Sequence, residues 1–432
     1  MTKKIWFINP EDTFLENKGD RLPLGLLYLS SYCKSLGADT KIIDCNHELL
    51  SYSKLMAGKP HYLCFGIATP NYKTAINMAK DIKAYRTKYP RLFNHYLKLI
   101  AGGNHITAMP NEKDTIETFD YIIIGEGEKG LEMLLSQHNT NQLIHSPPIE
   151  DLDTLPYPDY DGVDMSKYKM TLEGKPAILI IGSRGCVYSC MFCGSAKLKK
   201  WRGRSALNIV TEMIILYDKY GKKGFYFGDD IYSFDRNRTI EIAKEIIKNK
   251  QLKLLPEDLI LRITTRTNLM DEEQLIWLKQ AGLDIISFGL ESGSDRILAT
   301  IQKQLTVKHQ KDKVELCHKL GIKIKGFFIM GLPEEKEEDL QLTIDFAKSL
   351  NLEYADCYLF TPFPSAPVWD TPEKWDLKLD KDNKGDWNNY FQIGKDGMPA
   401  EWKVQHPNLS FEIVKKYIEK FKQEVTNRGL TY

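Results

Sequence analysis

What this sequence lacks narrows its function before any motif is weighed. No apolar run approaches the roughly 18 residues that cross a bilayer, so no membrane span is expected. Neither sign of charge is in excess. Lys+Arg 59 against Asp+Glu 58 leaves a net charge of +1, which argues against nucleic acid as a partner held over the whole surface. The 8 cysteines follow no framework spacing, which fits a reducing compartment, and a cytoplasmic location is expected. Met1-Thr2-Lys3-Lys4 leads into the strand-like run Ile5-Trp6-Phe7-Ile8 with nothing resembling a signal peptide. No G-x-G-x-x-G follows that first strand, so a nicotinamide-binding reading is weak.

What is present is concentrated in Cys186-Val187-Tyr188-Ser189-Cys190-Met191-Phe192-Cys193. The apolar segment Ala177 to Ile181 precedes it and reads as a buried strand opening into a cysteine-bearing loop. Gly185 and Gly194 bracket the loop, as a tight turn around a cofactor requires. A [4Fe–4S] cluster is normally held by four cysteines. Three thiolates therefore leave one iron open to a small molecule. Two other readings are a zinc site, which wants a fourth ligand not found nearby in sequence, and core thiols. Cys33, Cys45, Cys64, Cys317 and Cys357 fall mostly in apolar runs and read as structural.

Cys-x3-Cys-x2-Cys with an aromatic residue before the last cysteine resembles the signature of the radical S-adenosylmethionine (SAM) superfamily. The resemblance implies that Cys186, Cys190 and Cys193 hold the cluster, that SAM chelates the open iron, and that one electron cleaves SAM to a 5′-deoxyadenosyl radical. Six strand candidates follow in register: Ala177–Ile181, Gly224–Phe227, Leu259–Thr264, Ile285–Leu290, Ile322–Met330 and Tyr354–Phe360. With helices between them they make a partial (β/α)6 barrel over 177–370, whose chemistry belongs at the strand carboxyl ends. The resemblance places SAM against Phe192, Gly228, Asp229 and Asp230, Arg262 and Arg266, Glu291 and Ser292, and Met330. Where the family usually has Pro-Gly-Glu-Thr after the fifth strand, this chain has Pro333-Glu334-Glu335-Lys336.

Residues 1–145 alternate strands (Lys4–Ile8, Lys41–Ile43, His61–Ala68, Leu97–Ala101, Tyr121–Ile124) with helices (Leu22–Leu36, Tyr72–Tyr89). This is the pattern of a doubly wound, Rossmann-like α/β sheet that binds ligands beyond its strand ends. The segment resembles the cobalamin-binding domain that precedes the radical domain in a large subfamily. That implies cobalamin across Leu24 and Gly25, Thr69 and Asn71, Gly102, Gly103 and His105, and Gly125, Glu126 and Gly127. The Asp-x-His-x-x-Gly motif that supplies a histidine to cobalt is absent after the first strand. His47 and His105 read as hydrogen-bonded loop residues.

Residues 146–176, rich in Pro and Asp, read as an extended linker. Residues 371–432 read as a mostly helical cap over the barrel mouth. It holds Trp375, Trp387, Tyr390-Phe391 and Trp402, and a helix starting at Ser410 whose apolar face is Phe411, Val414, Tyr417, Ile418, Phe421 and Val425, with Gly429 as its stop. The expected activity is cobalamin-dependent methylation of an unactivated carbon in a small-molecule substrate, with an electron donor such as flavodoxin or ferredoxin. Cyclisation or oxidation with the same cofactors is the alternative, as is a radical enzyme whose first domain no longer binds cobalamin.

Overall fold

β-branched and aromatic runs alternate with amphipathic stretches along most of this chain, and they fold as buried parallel strands and crossover helices. The computed structural model describes residues 2–12, 18–90, 97–136, 141–197, 199–379, 381, 387, 398 and 401–425. They form two units. One is Met1–Lys169 with the described residues of 381–396, and the other is Met170–Asp380 with those from 397 onward.

The first unit is a parallel sheet of β1 (Lys4–Asn9), β2 (Asp39–Asp44), β3 (Tyr62–Gly66), β4 (Lys98–Gly102), β5 (Tyr121–Gly125) and β6 (Leu143–Ser146). Its order is β2-β1-β3-β4-β5-β6. The winding reverses after β2, so the carboxyl ends of β1 and β3 flank a topological switch point. Ile5, Phe7, Leu63, Leu99 and Ile122 are fully buried and build the core. β6 escaped the sequence reading: of its four residues only Ile144 is buried, too few to show a period. The expected linker also packs here. Asp159 accepts from Ser30 Oγ at 2.6 Å, and Tyr168 donates to Asp44 Oδ2 at 2.7 Å.

The second unit opens with β7 (Thr171–Leu172), β8 (Lys175–Ile180) and the small pair β9 (Ser183–Arg184) and β10 (Arg202–Gly203). It continues through β11 (Gly224–Phe227), β12 (Ile260–Thr265), β13 (Leu283–Glu291), β14 (Lys323–Met330) and β15 (Tyr354–Leu359). The order β15-β14-β13-β12-β11-β8-β7 is sequential and never reverses, the winding of a barrel left open between β15 and the short antiparallel edge strand β7. Side chains alternate along β14. Phe328 turns outward to the helices, 5.2 Å from the Phe421 ring and 6.3 Å from Phe346. Lys325, Phe327 and Ile329 therefore share the concave face.

The C-terminal helix runs Phe411–Val425 and buries Val414, Ile418 and Phe421. Ser410 Oγ accepts from Ile413 N at 3.3 Å, as an N-cap does. The helix lies against β14, β15 and the helix Glu337–Ser349, in the outer layer, rather than across the barrel mouth. Tyr390-Phe391 and Gly429 lie outside the described residues. Among the described residues no helix is long and apolar enough to cross a membrane.

The turn after β14 shows how the chain tolerates its departure from Pro-Gly-Glu-Thr. Glu334 takes the left-handed conformation that glycine favours, with φ 64. Glu335 is fully buried, and its Oε2 accepts from Gly331 N at 2.7 Å and Leu332 N at 2.9 Å. Burial pushes its carboxyl up to about 8, against the pull of those two bonds. The unfolded chain loses this proton first as pH rises. Stability therefore falls between the ordinary carboxyl range and about pH 8. Glu335→Gln removes that titration. Thermal melts from pH 5 to 8.5 should show the wild type losing stability over this window and the variant losing less.

Candidate active site

The cysteine loop leaves β8 and is held on both flanks by carboxylates from the end of β11. Asp229 Oδ1 accepts from Gly182 N at 2.7 Å, and its Oδ2 accepts from Ser183 Oγ at 2.6 Å. Asp229 is 3 % exposed, and burial raises its carboxyl above the usual range against the lowering influence of Arg238. Asp230 accepts from Gly185 N at 3.2 Å and from Ser195 Oγ. The two carboxylates expected to face SAM are thus occupied with the loop that carries the thiols. Arg238 closes the same junction by donating to the carbonyls of Gly182 and Arg204.

Met191, at the loop's centre, is fully buried among Ile297, Leu298, Ile301 and Leu332. Its N–H donates to Ile301 O at 3.2 Å, and its carbonyl accepts from Val368 N at 3.0 Å. This anchor fixes the turn between Cys190 and Cys193. Nothing in the sequence distinguished it from any other apolar residue. Phe192 packs half-buried against the same cluster.

Cys186 and Cys190 are buried and Cys193 half-buried. Burial pushes the Cys193 thiol up to about 11 and raises Cys186. Burial thus favours the neutral form of these two thiols, and metal binding displaces their protons. Arg266 supplies the compensating charge. Its Nη1 stands 3.4 Å from Cys190 Sγ, its guanidinium lies 3.8 Å from the centre of the Tyr188 ring, and its Nη2 donates to Lys303 O. Among the described residues no three His, Cys, Asp or Glu side chains converge as a single metal ion requires. A cluster asks for something different, because each thiolate takes its own iron. Three thiols on one loop beside a cation fit three corners of such a group.

Beyond β13, Glu291 and Lys303 form a buried ion pair at 2.7 Å. Glu291 sits at φ 66. A Cβ on Gly289 would fall 2.3 Å from Glu291 Oε1 and 2.9 Å from Lys303 Nζ, so only glycine admits the pair. Ser292 is sealed, 3.3 Å from Thr343 Oγ1, and shapes the turn. Met330 shares the outward face of Phe328 and is fully buried; the concave side at that level carries Ile329. Arg262 lies deeper, stacked 4.4 Å from the centre of Tyr226 and donating Nε to Ser287 Oγ at 3.2 Å.

In the first unit the strand ends form an edge of bare backbone. Gly25, Gly103 and Gly125 are exposed. Gly103 has φ +108, and a Cβ there would fall 2.5 Å from Ile67 O. Thr69 is half-buried at this edge; Gly102 and Gly127 are half-buried, and Leu24 is buried. Glu126 accepts from Ile149 N at 2.9 Å. Asn71 is turned inward, bonded to Ala68 N at 2.9 Å and Asp12 Oδ1 at 3.0 Å. His105 is fully buried, with Nδ1 3.1 Å from Thr69 Oγ1 and Nε2 3.1 Å from Glu112 Oε2. Trp387 seals it, ring to ring at 4.8 Å, and donates to Glu112 Oε1 at 3.0 Å. Both ring nitrogens of His105 are engaged, so in this arrangement it offers no lone pair to a metal.

A sequential open barrel with three thiols on the loop after its first strand defines an enzyme class that the comparisons then specify. Residues 180–347 match the radical SAM superfamily model. An uncharacterized methyltransferase of Pyrococcus horikoshii is 32 % identical over 373 residues, which span 81 % of this chain and 78 % of that protein. An anaerobic magnesium-protoporphyrin IX monomethyl ester cyclase of Rubrivivax gelatinosus is 27 % identical over 85 % of this chain and 69 % of its own length. Among solved structures, the radical SAM methyltransferase TsrM of Kitasatospora setae shares the fold, with a TM-score of 0.73, 16 % identity, and coverage of 98 % of this chain and 91 % of TsrM. The chain belongs to the radical SAM superfamily.

The Glu291–Lys303 pair has a direct stability test. Lys303→Met strands a buried carboxylate and should cost roughly 3–5 kcal/mol, whereas the double change with Glu291→Gln should recover much of it. Chemical denaturation of the single and double variants checks this. Equal losses in both would show that the pair is not coupled.

Proposed function

We propose that this enzyme is a cobalamin-dependent radical SAM methyltransferase acting on an unactivated carbon of a small molecule. The observation that carries the reading is the thiol loop, three cysteines held at the mouth of an open barrel with Arg266 against Cys190. When bound, the cluster with SAM supplies the electron and the 5′-deoxyadenosyl radical, and cobalamin supplies the transferable methyl group.

The chain's own residues then have defined tasks. Cys186, Cys190 and Cys193 hold three irons, and Arg266 offsets their negative charge. Asp229 and Asp230 fix the loop through Gly182, Ser183, Gly185 and Ser195. The backbone at Gly228, the Phe192 ring and Glu291 remain to orient SAM. Ser292 and Met330 support that surface from behind.

Residues 1–145 are assigned to cobalamin, supported by the TsrM fold, which was solved with cobalamin and a [4Fe-4S] cluster bound. The exposed Gly25, Gly103 and Gly125 leave backbone bare for a large planar ligand. His105 serves as scaffold through Thr69 and Glu112 rather than as a ligand to cobalt. A one-electron donor of flavodoxin or ferredoxin type is implied. The cyclase among the relatives keeps cyclisation open as the second reading.

Anaerobic reconstitution with iron, sulfide and cobalamin tests the proposal, followed by SAM and a low-potential reductant. Wild type should retain iron and cobalt and release 5′-deoxyadenosine accompanied by S-adenosylhomocysteine. Cys186→Ala should lose the deoxyadenosine. Turnover retained in that variant would refute the cluster assignment. Bound iron without cobalt would remove the methylation reading, and deoxyadenosine without S-adenosylhomocysteine would favour cyclisation or oxidation.

A further inference from the structure

The concave face of the barrel carries an uncompensated positive charge below the cysteine loop. Register brings the residues together: Tyr226 pairs with Arg262, Thr264 with Ser287, Ser287 with Lys325, and Phe327 with Asp356. Lys325 is 3 % exposed and bonds Asp356 at 2.7 Å. Asp356 also accepts from Tyr358 OH at 2.9 Å. Arg262 is 8 % exposed; its Nε donates to Ser287 and its plane rests on Tyr226. Among the described residues no carboxylate pairs with Arg262, and its two terminal nitrogens make no hydrogen bond.

Lys325 thus has a carboxylate partner, and Arg262, on the same face, has none among the described residues. A buried guanidinium without a counter-charge is costly, and its fork of terminal N–H groups matches a carboxylate or phosphate. Tyr226, Asp356 and Tyr358 are only half-buried, so the layer is open to a ligand. Burial lowers Lys325 to about 8, against the raising influence of Asp356, and the nearby Arg262 adds to the lowering.

SAM's carboxylate is the obvious rival anion, and Arg262 was an expected contact for it. Depth separates the two. Arg266 is the residue against Cys190. Arg262 stands four positions earlier, about 13 Å along an extended strand. A carboxylate chelating the cluster must lie at the level of the thiols, above this layer.

We propose that Arg262, with Lys325 beside it, binds an anionic group of the substrate, a carboxylate or a phosphate, and so orients the substrate from below. The inference rests on the reading that the barrel receives a small molecule. It does not depend on the reaction that follows.

The test is equilibrium binding by ligand-detected NMR on the anaerobically reconstituted chain, with benzoate and phenyl phosphate as anionic probes and benzamide as the neutral control. Wild type should prefer at least one anion over benzamide by about tenfold or more. Which anion wins distinguishes carboxylate from phosphate. Arg262→Gln should abolish the preference, Arg262→Lys should keep part of it, and SAM affinity should change by less than about threefold in both. Equal binding of benzamide and both anions by wild type, or an undiminished preference in Arg262→Gln, would overturn the proposal. So would a loss of SAM affinity without loss of anion binding. Should Arg262→Gln fail to fold, the wild type still decides: saturating SAM must leave the preferred anion bound, and displacement places both at one site and overturns the proposal. If no deoxyadenosine forms and the anion still binds through Arg262, the reaction class fails and this assignment stands.

Discussion

Three thiols must be kept together on a loop while nothing but neighbouring protein holds that loop in shape. The barrel unit meets this constraint from three directions. Asp229 and Asp230 grip the backbone and hydroxyls on either side of the cysteines. Met191 is driven into a fully apolar cluster from the loop's middle. Arg266 leans on Cys190 from the end of β12 and is itself tethered to Lys303 O. Because these supports come from several strand ends, the loop's geometry follows from the curled sheet rather than from its own sequence.

Most of the strands were legible, because buried parallel strands show as compact apolar runs between turn residues. The two windings were legible as well, through the placement of glycine-bearing turns and the even spacing of β8 to β15. The short β6 left no period to detect. The helix Val307–Lys319, which buries only Gln310, Val314 and Cys317, is mostly polar and hid among charges. At Glu334 a non-glycine residue occupies a left-handed turn position. Local rules flag that as a departure, yet Glu335 keeps the turn with two backbone bonds.

Residue roles were less legible than residue positions. A strand-end carboxylate is equally suited to a ligand or to its own backbone, and only the fold decides. Asp229 and Ser292 turned inward, and Met330 lies one position off the concave face. His105 and Trp387 meet across a long stretch of chain, which no sequence window contains. Lys303 was invisible for the same reason: its meaning comes from Glu291, twelve positions earlier, and from the glycine that leaves room for both.

The two sheets express one physical idea in two ways. Parallel strands gather their carboxyl ends on one side, where backbone groups and loop side chains are free to bind. A reversed winding makes a crevice with bare glycines, and a sequential winding makes a concave face with a charged floor. The central claim is that one iron has no protein ligand. Mössbauer spectroscopy of the ⁵⁷Fe-reconstituted protein, with and without SAM, tests it most directly. One iron in four should change its isomer shift when SAM is added, as its coordination number rises. Four irons unchanged by SAM, or iron that forms no cluster on these thiols, would contradict it.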